Sequence, residues 1–272
     1  MSDSDQHPDD PNVPAEALPT LREKAMGFWG HLEELRWTLV KSAVVFTVFA
    51  VLIGIYMKEF NGLLMWPFDH AKAKYPGVNM ELGVMTIMEP FNVVIQMCVL
   101  GGGVLSAPFI LFFIGQFVAP ALNEREIKAV APIMISAAVL FLLGSAFSFV
   151  ILVPNTIGVS VEISQMLSYT LRWTPGSYYS LLTWLVLGVG ASFEFPLVIV
   201  LLVWLGIMST AFLRKYRRHA VVVIFIIAAI VTPTPDPITQ TMFALPLYFL
   251  YEIAILAASR VEKKRTIKAR FG

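Results

Sequence analysis

Long apolar runs broken by short clusters of charge dominate the 272 residues of this chain. Six runs stand out, at about 37–57, 91–117, 129–153, 178–206, 220–231 and 238–258. A helix needs about 20 apolar residues to cross a hydrocarbon layer of about 30 Å, and five of the six have that length. The fifth reaches only about 18 Å at about 1.5 Å per residue. Ahead of the first run, Leu21, Ala25, Phe28, Leu32 and Leu35 recur at steps of three and four, the stripe of an amphipathic interfacial helix. Two connecting segments are long enough for structure of their own. Residues 58–89 contain Trp66, Pro67 and Phe68, and residues 155–177 carry Val159, Ile163, Leu167 and Leu171 at helical spacing, so both are expected to form caps. Residues 1–20 hold five carboxylates, four prolines and no Lys or Arg, the composition of a disordered tail. Residues 259–272 form a basic tail, and 21–258 read as a single membrane domain.

Composition excludes an ordinary water-soluble fold: 57% of residues are hydrophobic, 14% are charged and the mean hydropathy is +0.72, against roughly 45–50% and about 25% in soluble domains. Six helices leave no room for a separate catalytic domain. The net charge of +1 argues against a nucleic-acid binder, and the single Cys98 excludes an intrachain disulfide. Charge placement then orients the chain, because Lys and Arg in short loops favour the cytoplasm. With six crossings, sixteen of the twenty basic residues fall on the side of both termini, leaving Lys58, Lys72, Lys74 and Arg172 opposite. A fifth segment that turned back would export the basic C-terminal tail, so it is expected to cross a thinned bilayer. The expected fold is an all-α membrane protein, a curved bundle of six transmembrane helices with both ends cytoplasmic. Pro108, Pro196 and Pro246 are the predicted interruptions of the second, fourth and sixth spans.

Glu194 lies deep in the fourth run beside Pro196, where a carboxylate needs a partner or a proton. Glu252, nearer a helix end among aromatic residues, reads as structural. Four further carboxylates, Glu33, Glu34, Glu124 and Glu126, lie by the cytoplasmic surface, where convergence would suit a pair of guanidinium groups. The chain contains no H-E-x-x-H, phosphate-loop or G-x-S-x-G motif, its four histidines are far apart, and no metal, cofactor or enzymatic activity is expected. Gly101, Gly102 and Gly103 suit close helix approach. On these residues alone, a proton-coupled small-molecule transporter using Glu194 is the competing reading.

Four motifs make the pattern more specific: His31-Leu32-Glu33-Glu34-Leu35-Arg36, Phe117-Val118-Ala119-Pro120-Ala121-Leu122, Ser192-Phe193-Glu194-Phe195-Pro196 and Thr232-Pro233-Thr234-Pro235-Asp236. In this order and topology they resemble TatC, the multi-spanning receptor subunit of the twin-arginine protein translocase. The resemblance implies short fifth and sixth helices and recognition of twin-arginine signal peptides on folded cargo, and the absence of a basic transit segment favours a bacterial inner membrane over a plastid one. By motif position the recognition carboxylates look like Glu34 and Glu126, with Arg36, Glu124 and Phe117 in the same motifs. It also implies docking of single-span TatA-type and TatB-type subunits beside Glu194 and Pro196, and further copies of the chain in the complex. Pro67, Pro120, Asp236 and Glu252 take structural or outer-turn roles. Two departures stand out: Thr38 replaces a residue that is commonly basic, and Asn123-Glu124-Arg125-Glu126 leaves the division of labour between the two glutamates open.

Overall fold

A computed structural model of the chain describes residues 28–119, 124–232 and 236–271, with side chains except at 28, 124–129, 261 and 264–271. The expected acidic tail, Pro120 and the Pro233–Pro235 turn lie outside the described residues, as do the side chains of Glu124 and Glu126. The first apolar run lies on α1 (Phe28–Ile55). The described part of the amphipathic stripe is continuous with that run instead of forming a separate helix. No proline falls between Phe28 and Trp37, so nothing breaks the backbone ladder there. Two short helices follow, α2 (Met57–Leu64) and α3 (Trp66–Lys74). Pro67 occupies the first turn of α3, where its missing N–H is not needed.

Next come α4 (Glu89–Val118), α5 (Glu124–Phe147), a π-helical turn at Ser148–Leu152 and α6 (Val153–Met166). The helix α7 (Pro175–Ser192) starts at a capping box between Thr174 and Ser177. It is followed by α8 (Phe195–Trp204), α9 (Thr210–Lys215), α10 (Arg217–Val231) and α11 (Pro237–Phe271). Among the described residues, five stretches are long and apolar enough to cross a membrane: Trp29–Ile55, Glu89–Val118, Val130–Met166, Pro175–Trp204 and Pro237–Arg260. With 15 residues, α10 is about 22 Å long at about 1.5 Å per residue. The basic C-terminal segment continues α11 as helix to Phe271.

The prolines within the long apolar stretches differ in what they do to the helix. Pro108 and Pro246 sit inside α4 and α11 without ending them, as does Pro132 in α5, since packed membrane helices can absorb a single lost backbone bond. Only at Pro196 does the helix stop. There Glu194 N–H tightens onto the Ala191 carbonyl at 3.1 Å, α7 closes at Ser192, and Pro196 falls in the first turn of α8.

In lipid, helices associate through close packing and interhelical hydrogen bonds, because the surrounding chains are as apolar as the helices. Packed against α1, α5 and α7, α4 is the hub, while α11 packs on α8 and α10. Glycine makes the hub possible: a Cβ at Gly102 would lie 3.1 Å from the Ala50 backbone of α1, and one at Gly101 would lie 2.7 Å from Ile53. The fully buried core includes Leu152, Val153, Val161, Leu182, Leu185, Val189, Phe243, Leu247 and Ile255. By contrast α1 leaves Val40, Val44, Val48 and Leu52 exposed along its length.

The two cap segments meet at one end of the bundle. Packed between them, Phe68 stands edge-on to Trp173 and Tyr178, with centroids 6.1 and 5.6 Å away. Gly83 N–H donates to the Trp173 carbonyl at 3.0 Å, beside an isolated parallel bridge between Leu82 and Trp173. The Tyr75 hydroxyl donates to Glu162 at 2.6 Å, which pushes the phenol up to about 12, the acceptor carboxylate favouring its protonated form. The helical spacing expected to extend to Leu171 stops at Met166, because Ser168 adopts a positive φ of 58°.

Candidate functional site

At the other end of the bundle, the start of α1 meets the end of α4, the two helices running antiparallel. Glu34 lies on the first turns of α1, its side chain about a third exposed at 34%. Its Oε2 is buried and has no hydrogen-bond partner. The His31 Nδ1 stands 3.8 Å away, beyond hydrogen-bonding range. The His31 ring instead stacks on Phe117 in the last turn of α4, with centroids 4.3 Å apart and planes at 21°. Between the two helices is a cavity of about 460 Å³, lined by Gly30, Glu33, Glu34, Trp37, Thr38, Lys41, Gln116 and Phe117. It offers two carboxylates, an ammonium, an amide and two aromatic faces, a set suited to a planar cation. The structure thus brings Glu34 and Phe117 together. Arg36 stands apart, its guanidinium 5.8 Å from the Trp37 ring centroid. Glu124 and Glu126 open α5 just after this end of α4.

A larger cavity of about 570 Å³ lies beneath the cap and is lined by Thr156, Ile157, Ser160, Trp173, Ser177, Tyr178, Ser180, Leu181 and Trp184. It has no carboxylate or basic group, so it cannot receive a cation through an ion pair. Chemistry favours the smaller site.

Glu194 occupies the break between α7 and α8, half-buried, with its Oε1 buried and lacking a hydrogen-bond partner. Around it the chain is tight. Phe193 packs on Gly144, where a Cβ would come within 2.7 Å of it, and lies 5.9 Å from the Phe147 ring. Ser192 turns its hydroxyl back to the Gly188 carbonyl at 2.7 Å, and Pro196 is buried. The break therefore leaves a half-buried carboxyl group within an apolar bundle, next to the tightly packed Phe193.

Asp236 and Glu252 sit in hydrogen-bonded surroundings. The Asp236 Oδ1 accepts from Thr239 N–H at 2.6 Å, holding the first turn of α11. Nearby, the Trp184 indole N–H donates to the Val231 carbonyl at 2.8 Å, tying α7 to the end of α10. Glu252 pairs with Arg217 at 2.9 Å and accepts from Tyr248 at 3.2 Å. Pro67 is buried within the cap. Sequence reasoning assigned no role to Glu89, and to His31 only a place at the head of the first motif. Glu89 is 7% exposed and accepts from Met85 N–H at 2.9 Å and Gly176 N–H at 3.0 Å. The adjacent Pro90, marking a helix start, was the available signal for it. Among the described residues, no three His, Cys, Asp or Glu side chains come together as a metal site would require.

The family model for Sec-independent protein translocase protein (TatC) matches residues 30–246. A TatC from Koribacter versatilis is 34% identical over 255 residues, covering 91% of this chain and 90% of its own. One from Escherichia coli is 32% identical over 232 residues, covering 83% and 85% respectively. A crystal structure of the twin-arginine translocase receptor TatC superposes with a TM-score of 0.70 at 30% identity, across 85% of this chain and 99% of that one.

Proposed function

Because this chain belongs to the TatC family of Sec-independent protein translocase proteins, we propose that it is the signal receptor of a twin-arginine translocation system. Glu34 carries this reading: a carboxylate oxygen with no hydrogen-bond partner, beside a cavity with aromatic walls at one end of the bundle. A guanidinium entering there gains charge-assisted bonds to Glu34 and stacks on a ring, whereas an ammonium gains only the charge. A second carboxylate, Glu126 or Glu124 at the start of α5, takes the other arginine of the pair. Arg36 lies outside the cavity, against the Trp37 ring.

The bundle crosses the bacterial inner membrane six times with both ends cytoplasmic, α10 spanning where the bilayer is thin. The carboxylate site then faces the cytoplasm and the cap faces outward. Glu194, beside Pro196, is the docking point for single-span TatA-type and TatB-type subunits, offering a hydrogen-bonding group at depth where such a bond fixes a partner helix. Several copies of the chain assemble with them, and the proton gradient drives folded cargo across. Crosslinking of a twin-arginine signal peptide tests the receptor reading. Both Glu34→Ala and Glu126→Ala should lose the crosslink, and retention in both would end the reading.

A further inference from the structure

Phe117 has two neighbours of different kinds. It forms one wall of the cavity beside Glu34, and it is stacked by His31, which is not itself among the cavity-lining residues. It lies in the final turn of α4, where backbone carbonyls lose their intrahelical partners and the last turn frays. A ring at such a position needs support to hold one orientation. The imidazole gives it from α1, at 4.3 Å and 21° to the Phe117 plane. At 3.8 Å its Nδ1 is too far from Glu34 Oε2 to make a hydrogen bond, so that acceptor stays open.

We propose that His31 is the positioning residue of this site: by stacking on Phe117 it fixes the aromatic wall on which an arginine guanidinium lies while Glu34 receives its charge. His31 thereby supports the choice of arginine over lysine without touching either. A guanidinium is planar and stacks on an aromatic face, whereas an ammonium is a compact point charge on a flexible stem. Disturbing the wall therefore weakens an arginine ligand more than a lysine one. The inference rests on the signal-receptor reading and adds a residue to it.

The test uses the full chain in detergent and two labelled peptides, one with the twin-arginine pair and one with both arginines replaced by lysine. His31→Ala should weaken the arginine peptide about two- to tenfold, as expected for loss of an aromatic contact, and the lysine peptide less, so the ratio of affinities falls. His31→Phe, which keeps a ring, should restore the ratio. A merely structural defect would weaken both peptides alike. In a double-mutant cycle with Phe117→Ala, the second substitution should add little to the first. Should His31→Ala fail to accumulate, His31→Gln removes the ring in its place. An unchanged ratio in the ring-less variant, or losses that simply add in the cycle, would overturn the role of His31. Glu34→Gln separates the two readings: if it abolishes binding while the His31 variants behave as the parent, only the positioning role fails, and if it binds normally both fail.

Discussion

Two carboxylates at opposite ends of the bundle, Glu89 and Glu34, are held in opposite ways. At the cap, Glu89 is 7% exposed, and its two oxygens accept from Met85 and Gly176 backbone N–H groups, the latter 87 residues away. At the opposite end, Glu34 is about a third exposed at 34%, and its Oε2 has no hydrogen-bond partner. The contrast extends to the surroundings. The cap joins residues distant in sequence through Tyr75 with Glu162, Gly83 with Trp173, Tyr178 with Leu64 and Tyr179 with Asn61. Around Glu34 the described residues show the His31 stack on Phe117 and a cavity of about 460 Å³. A carboxylate whose oxygens are bonded within the chain contributes to stability. One whose acceptor is left open costs stability and is available to a ligand.

If that division holds, substitution at the two ends should separate stability from binding. The largest effect is expected at Glu89. Glu89→Ala leaves the Met85 and Gly176 backbone donors without their acceptor where the two cap segments meet, and should lower the unfolding temperature more than any other substitution considered. Thermal unfolding in detergent measures it, and peptide affinity at temperatures where the variant is folded should match the parent. A variant that unfolds as the parent does would remove Glu89 from the cap's framework. Next in size is the opposite pattern at Glu34. Glu34→Gln removes a charge-assisted acceptor and should weaken twin-arginine peptide binding by about 10- to 100-fold, with the unfolding temperature unchanged or slightly raised. Normal affinity alongside a lowered unfolding temperature would reverse the assignment of the two ends.

The division was only half legible in the sequence. The apolar runs locate the long helices because a span must be apolar over a length set by the bilayer, a constraint local in sequence. Pro196 marked the break at Glu194 for a similar reason, since it removes a bond only four residues away. Pro108 and Pro246 remove a backbone bond in the same way, yet α4 and α11 continue through them, because whether a lost bond ends a helix depends on packing that periodicity cannot see. At the open end, motif order singled out Glu34 and Phe117, but the stack from His31 needed the antiparallel pairing of α1 with α4. At the cap, the spacing of Val159 and Ile163 anticipated α6, whereas Glu89 gave no sign of its partner, which lies 87 residues on. Hydrogen bonds across such separations follow from tertiary contacts alone.

The smallest expected effect sharpens the picture of the cap as a hydrogen-bonded frame. The Tyr75 hydroxyl donates to Glu162 at 2.6 Å, joining the end of α3 to α6. Tyr75→Phe deletes that bond at a half-exposed position, so the loss should be only about 0.5–1 kcal/mol. The same bond has a signature in pH. The phenol is pushed up to about 12 in the folded chain, against about 10 for a free tyrosine. Its raised value means that the bond stabilises the fold fully below about 10, and that this contribution is lost as pH rises through about 12. An ultraviolet titration of the parent minus Tyr75→Phe isolates this one phenol among the eight tyrosines. Replacing Glu162 by Gln should bring its midpoint down toward the free value, because the carboxylate both accepts the proton's hydrogen bond and repels the phenolate. A midpoint already near 10 in the parent would mean that Tyr75 and Glu162 are not joined in solution. The cap would then be held by the Phe68 contacts and the Glu89 bonds without that link between α3 and α6.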